Sequence, residues 1–311
     1  MGYAVLFPGQ GSQSVGMGAD VFATRPDLLG EAADEVLGWS LAGLCAEGPE
    51  EDLTRTERAQ PSLYAVAYAL WEAFAAAVSA PPSAAAGHSL GEYTALAAAG
   101  VFGYADGLRI VARRGAAMAE AADLEPSGMA ALLGADGERA GALAASCRDG
   151  GGRLWVANLN APGQVVVAGG AADLEWAVEH SREHGIRRVM PLKVAGAFHS
   201  PFMAPAAEDL AAAVDGLEPA PAAFPVWSNV TAEPHGGPAE VAAALVDQLT
   251  SPVRFEESLR SMAGRGISTF VHIGPGDVTA GLARRSIEDG EIHVVSTLEE
   301  AAEAAAAIGS G

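Results

Sequence analysis

Apolar positions along the 311-residue chain fall into short continuous runs, separated by longer stretches with helical spacing. Residues 3–7 form one such run and end in a Gly-rich turn, the pattern of a strand buried on both faces. Residues 59–78 set Leu63, Val66, Leu70 and Phe74 at helical intervals in an Ala-rich background. A short apolar run at 83–87 precedes a helix-like stretch at 90–99, and 104–122 reads as a further helix. Strands are predicted again at 225–230 and 269–273, and helices at 239–248, 255–263 and 278–287. Strands spaced by helices predict an α/β fold, a mostly parallel sheet with helices on both faces.

The rhythm changes in the middle of the chain. A strand at 129–133 and a helix at 138–147 lead to strands at 154–159 and 164–168, joined by Asn160-Ala161-Pro162-Gly163. A helix at 172–184 and a strand at 188–192 follow. This β-α-β-β-α-β order is the ferredoxin-like split motif. It predicts a small α+β subdomain at 126–194, inserted into a large domain made of 1–125 and 195–311. Gly128 and Gly196 would be its hinges, and 299–311 reads as a terminal helix.

Charge narrows the function. Lys and Arg number 18 against 39 Asp and Glu, a net charge of −21. That balance argues against nucleic acid and against anionic membrane surfaces. Cys45 and Cys147 match neither a metal spacing nor a disulfide framework, so no metal and a reducing compartment are expected. The first residues lack the basic region of a signal peptide, and the apolar stretch 65–80 is interrupted by Glu72. These features predict a cytoplasmic protein, and nothing in the sequence requires more than a monomer.

Gly87-His88-Ser89-Leu90-Gly91 fits G-x-S-x-G between a predicted strand and a predicted helix, the setting of a nucleophile elbow. A serine nucleophile needs a base, and seven histidines are available. His199 alone lies in a Gly- and Pro-bounded loop at the predicted domain junction, where clefts form. His88 is expected to point away as a structural residue, and His180 and His184 to be solvated. His235 falls in a loop, His272 in the core at a strand end, and His293 at the start of the last strand. Phe7-Pro8-Gly9-Gln10-Gly11-Ser12-Gln13 follows the first strand, but Ser14 breaks the G-x-G-x-x-G phosphate pattern. An oxyanion loop or a plain turn remains. Gly274-Pro275-Gly276-Asp277 reads as a plain turn.

These pieces, with Ala59-Gln60-Pro61, Glu92-Tyr93, Arg114-Gly115, Asn160-Ala161-Pro162-Gly163-Gln164, Gly196-Ala197-Phe198-His199-Ser200-Pro201, Ser228-Asn229-Val230 and Gln248 ahead of Ser251-Pro252-Val253, run in order across nearly the whole chain. In this the chain resembles the malonyl-CoA:acyl-carrier-protein transacylase family, which includes discrete acyltransferases of polyketide synthesis. The resemblance implies an α/β-hydrolase-like core with a ferredoxin-like insert. It implies Ser89 as nucleophile, His199 as general base, and the carbonyl of Gln248 as the group that orients the imidazole. It further implies an oxyanion hole from the backbone N–H groups of Gln10 and Leu90, and Arg114 as the grip on the malonate carboxylate. Phe198 and Leu90 resemble the malonyl-selective type. The implied reaction is ping-pong: malonyl-CoA is the substrate, no cofactor is bound, and an acyl carrier protein brings the phosphopantetheine thiol.

An acidic carrier needs a basic landing site. Arg187, Arg188 and Lys193, with Arg182 nearby, are one candidate, and Arg284-Arg285 is a second. The competing readings are an acyl hydrolase or esterase of the same fold, a transacylase for another carboxylated acyl unit, and a non-catalytic scaffold. Arg114 speaks against a broad editing hydrolase, and the presence of both Ser89 and His199 speaks against a scaffold.

Overall fold

In the computed structural model, which describes residues 2–309, eight strands form two sheets. The first contains β1 (Tyr3–Phe7) and β2 (Ala84–Gly87). The second holds β3 (Ser127–Leu133), β4 (Leu154–Ala161), β5 (Gln164–Gly170) and β6 (Arg188–Pro191). β7 (Thr269–Ile273) and β8 (Glu291–Val295) complete the first. That first sheet is parallel throughout, in the order β2-β1-β7-β8.

Every residue of β1 is buried, because helices cover both faces of the sheet. Tyr3, Val5 and Phe7 point into one core with the helix Thr56–Ala77. Ala4 and Leu6 point into the other, against the helices Phe255–Gly264 and Val278–Ser286. Phe7 is in register with Gly87, so the loops after β1 and β2 leave the same edge side by side. Carboxyl ends of parallel strands are where such sheets bind ligands.

The second sheet is antiparallel, in the order β4-β5-β3-β6. Its alternation serves two cores. Val165 and Val167 of β5 pack with the helices Gly137–Asp149 and Ala171–His180. Val166 and Ala168 join the main core, together with Met129 and Ala157. The sheet is also stitched to the large body through Val253, whose N–H donates to Ala157 and whose carbonyl accepts from Leu159, both at 2.8 Å.

Two sequence expectations change, and residues 19–54 gain elements. Residues 225–230 form no strand; isolated bridges from Val226 to Ala85 and from Trp227 to Pro234 replace it. Pro225 has no N–H to give, and the chain turns back where Ser228 N–H donates to Glu233 and Ala232 adopts φ 57°. The helix expected at 172–184 breaks into Ala171–His180 and a 3-10 turn Ser181–His184, ended by left-handed Gly185. Residues 19–54, for which no element was predicted, hold five helices of four to seven residues: Ala19–Thr24, Pro26–Leu29, Glu31–Leu37, Leu41–Glu47 and Glu50–Thr54. Each is too short for a periodicity to register. Among the described residues no helix is long and apolar enough to cross a membrane.

Candidate active site

Ser89 sits between β2 and the helix Gly91–Ala98, with φ 50°. A left-handed serine is strained, and the glycines around it make the turn feasible. A Cβ on Gly87 would lie 1.8 Å from the carbonyl carbon of Gly91, and one on Gly91 would lie 2.2 Å from the Phe7 oxygen. Asn229 pins the turn: its Oδ1 accepts from the Ser89 N–H, and its Nδ2 donates to the Gly87 carbonyl, both at 2.7 Å.

His199 comes from the loop after β6 and is also left-handed, at φ 56°. Its Nε2 lies 2.8 Å from Ser89 Oγ, and its Nδ1 lies 2.8 Å from the Gln248 carbonyl. A carbonyl can only accept, so Nδ1 carries the proton and the Nε2 lone pair faces the hydroxyl. The imidazole is buried, which holds its pKa down at about 3; the Arg114 charge adds to this, and the Gln248 carbonyl opposes it. The ring is therefore neutral and ready to take a proton at neutral pH.

Arg114, on the helix Tyr104–Ala122, is 1% exposed. Its Nη1 donates to Gln60 Oε1 at 2.6 Å, and its Nη2 donates to Gln248 Oε1 at 2.8 Å and to Ser89 Oγ at 3.1 Å. The guanidinium lies over the Tyr93 ring at 5.1 Å, and its Nε has no hydrogen-bond partner among the described residues. Burial lowers its pKa from the usual arginine value. A buried cation that meets only neutral acceptors favours an anion at its open side.

A cleft of about 250 Å³ joins these groups. Gln10, Ser89, Leu90, Arg114, Phe198, His199 and Lys193 all line it. The backbone N–H groups of Gln10 and Leu90 have no hydrogen-bond partner among the described residues, which leaves both donors available to an oxyanion. Gln248 stands behind the wall, fully buried. Arg187 and Arg188 are exposed and lie outside the cleft lining. Among the described residues no three His, Cys, Asp or Glu side chains gather as a metal site.

The other histidines lie elsewhere or face away from Ser89. His88 lines the cleft but turns its Nε2 to Asn160 Oδ1 at 2.7 Å. His272 is buried against Thr279 and Gly274. His180 and His184, expected in solvent, are half-buried, and His180 stacks on Trp176 at 4.2 Å. The holding roles of Gln60, Glu92 and Asn229 escaped the sequence reading. All three lie inside quoted motifs, but their spacing does not tell which atoms they touch.

Residues 5–308 match the acyl transferase domain family. The chain is 43% identical over 284 residues to the malonyl CoA-acyl carrier protein transacylase of Bacillus subtilis, spanning 91% of this chain and 89% of that one. Its fold superposes on the acyl-carrier-protein S-malonyltransferase of Burkholderia pseudomallei with a TM-score of 0.93 at 38% identity, covering 98% of this chain and 100% of the other. It also superposes on a chain from the complex of the type II PKS acyl-carrier protein AntF with its malonyl-transacylase, with a TM-score of 0.92 at 35% identity and coverage of 98% and 100%.

Proposed function

The chain belongs to the acyl transferase domain family, and from that premise we propose that it moves a malonyl group from malonyl-CoA to the phosphopantetheine thiol of an acyl carrier protein, through an ester on Ser89. The observation that carries the malonyl reading is Arg114. A buried guanidinium with neutral partners, 3.1 Å from Ser89 Oγ, suits an acyl group that ends in a carboxylate.

In the first half-reaction His199 Nε2 takes the Ser89 proton as Oγ attacks the thioester carbonyl. The oxyanion receives hydrogen bonds from the Gln10 and Leu90 N–H groups. Collapse breaks the C–S bond, and CoA leaves as a thiol with the proton from His199. In the second half-reaction the carrier thiol gives its proton to His199 and attacks the ester, and Ser89 regains its hydrogen. The Gln248 carbonyl holds the imidazole in one tautomer throughout, where a triad would use a carboxylate. Phe198, 6% exposed in the cleft wall beside the base, crowds an α-branched acyl group. No resident cofactor enters these steps. We take residues 126–194 as an inserted ferredoxin-like subdomain, and the protein as a cytoplasmic monomer that serves fatty-acid or polyketide synthesis.

The carrier meets a basic rim. Arg187 and Arg285, one from each of the two candidate groups, flank one pair of turns. A Cβ on Gly134 would lie 2.9 Å from Arg187 Cδ, Gly134 N–H donates to Gly163, and Arg285 Nη2 donates to the neighbouring Pro162 carbonyl at 2.8 Å. Arg187, Arg188, Lys193, Arg284 and Arg285 make no ion pair among the described residues. In a chain of net charge −21 their positive charge stays open to an acidic partner.

Intact-protein mass after brief exposure to malonyl-CoA tests the reading. Wild type gains one malonyl group, Ser89→Ala gains none, and holo-carrier protein clears the adduct. Release of free CoA with no adduct and no transfer would replace the transferase with a hydrolase.

A further inference from the structure

Glu92 lies three residues past Ser89, in the first turn of the helix Gly91–Ala98, and is fully buried. A carboxylate so placed needs partners, and it has three. Gln248 Nε2 donates to its Oε2 at 2.6 Å, and the Asn229 N–H donates to the same oxygen at 3.1 Å. His235 Nε2 lies 2.8 Å from its Oε1. Glu92 touches neither Ser89 Oγ nor His199, yet two of its partners hold the groups that do the chemistry. Asn229 pins the elbow through Ser89 N–H and Gly87. Gln248 orients His199 with its backbone carbonyl and meets Arg114 with its side-chain oxygen.

The Gln248 amide therefore lies between two opposite charges. Its nitrogen donates to the Glu92 carboxylate at 2.6 Å and, more weakly, to the Ser89 carbonyl at 3.0 Å, and its oxygen faces the Arg114 guanidinium. A primary amide can turn over with almost no change of shape. The reversed amide would set its NH₂ against the donors of Arg114. A carboxylate only accepts, so it admits one orientation of its neighbour. Arg114 is then held by two amide oxygens, Gln60 Oε1 and Gln248 Oε1, and its third contact, Nη2 to the neutral Ser89 Oγ at 3.1 Å, is the one an acyl carboxylate would take over.

We propose that Glu92 is a positioning residue for acyl selectivity: by fixing the Gln248 amide it keeps Arg114 set to receive a carboxylate-bearing acyl group. This rests on the malonyl-transfer reading above. His235, whose side chain is 8% exposed, closes the network from the other side.

The test measures Ser89 acylation by malonyl-CoA and by acetyl-CoA, which lacks the carboxylate, as adduct mass against time. Glu92→Gln keeps the volume but presents an amide that can donate as well as accept. It is expected to lower the malonyl-to-acetyl rate ratio at least tenfold. In an Arg114→Ala background the same substitution is expected to leave the ratio within twofold, because the effect runs through Arg114. Equal losses with both substrates would make Glu92 a general support of the elbow and overturn the proposal. So would a ratio that moves as far without Arg114. Should Glu92→Gln not fold, His235→Leu loosens Glu92 without touching Gln248 and is expected to shift the ratio at least threefold in the same direction; an unmoved ratio overturns the proposal. If wild type itself forms no malonyl adduct, the malonyl-transfer reading fails first, which a failure of Glu92 alone would not produce.

Discussion

Arg114 donates through Nη2 to Ser89 Oγ at 3.1 Å, so the cation that would grip the acyl carboxylate already touches the hydroxyl to be acylated. Arrival of a malonyl carboxylate gives the guanidinium a better acceptor than a neutral hydroxyl. It also offsets part of the Arg114 charge, which adds to burial, the larger cause, in holding the His199 pKa down. Substrate binding would thus strengthen the base in the complex where it is needed.

Arg114→Ala is expected to cut kcat/KM for malonyl-CoA at least 100-fold, the scale of a lost charge-assisted contact of about 3 kcal/mol. Acetyl-CoA, with no carboxylate to grip, should lose far less. Parallel acylation rates with the two thioesters check this. Equal losses would reduce Arg114 to a packing residue.

Gly87 and Gly91 cannot carry a side chain, since their Cβ atoms would fall 1.8 Å and 2.2 Å from backbone atoms. Alanine at either site is expected to cost more than about 3 kcal/mol and to abolish the Ser89 adduct. Gly141, inside the helix Gly137–Asp149, has no described atom within 4 Å of its Cβ position apart from its neighbours and its own helix backbone. Gly141→Ala should stabilise by roughly 0.5–1 kcal/mol through helix propensity and the unfolded chain. Denaturant midpoints of the three variants check the contrast.

Phe198→Ser opens the cleft wall beside His199 and, on the proposed reading, removes the ring that crowds an α-methyl. One methyl in a pocket is worth about 1–3 kcal/mol, so acylation by methylmalonyl-CoA should rise about tenfold relative to malonyl-CoA. Competition between the two thioesters, resolved by adduct mass, measures it. An unchanged ratio would place the selectivity elsewhere in the cleft.

How much of this was legible in the sequence differs residue by residue. Ser89 could be found because its strained turn demands glycines at fixed offsets, and His199 because its loop is bounded by Gly196 and Pro201. The central strand declared itself as an unbroken apolar run. Glu92 stayed hidden although it follows the elbow directly, because burial of an acid depends on partners 137 to 156 residues away in the chain. The basic residues read as two separate groups for the same reason: only folding brings Gly134, beside Arg187, against Gly163, beside Arg285. The helices between residues 19 and 54 are each a turn or two long, and composition alone cannot separate them from loop.

Acid should affect rate and stability differently. kcat/KM reports the free enzyme, where the His199 pKa is near 3, so transfer should vary less than about twofold between pH 5 and 7.5. Stability follows the opposite course. His199 and His272 are held at about 3 and about 4 when folded, against 6.5 for a free histidine. Between these limits the unfolded chain binds more protons, so stability is full above about pH 6.5 and is lost as the pH falls through that window. By pH 5 each histidine should cost about 2 kcal/mol. Urea denaturation at pH 7 and pH 5 measures the loss; a difference below about 1 kcal/mol would show that the two rings are not buried in neutral form.

If Arg187 and Arg285 form one basic rim, reversing either charge should raise the KM for holo-carrier protein about tenfold and leave Ser89 acylation by malonyl-CoA within twofold. The two reversals should also act on one encounter, since both residues flank the same turns. Their effects should therefore combine, and added salt should raise the wild-type KM while hardly changing that of the double variant. Two separate patches would differ, because a carrier that uses one of them would ignore reversal of the other. Steady-state kinetics at two ionic strengths with Arg187→Glu, Arg285→Glu and the pair distinguish these outcomes, and an effect confined to one arginine would break the rim into the two patches that the sequence suggests.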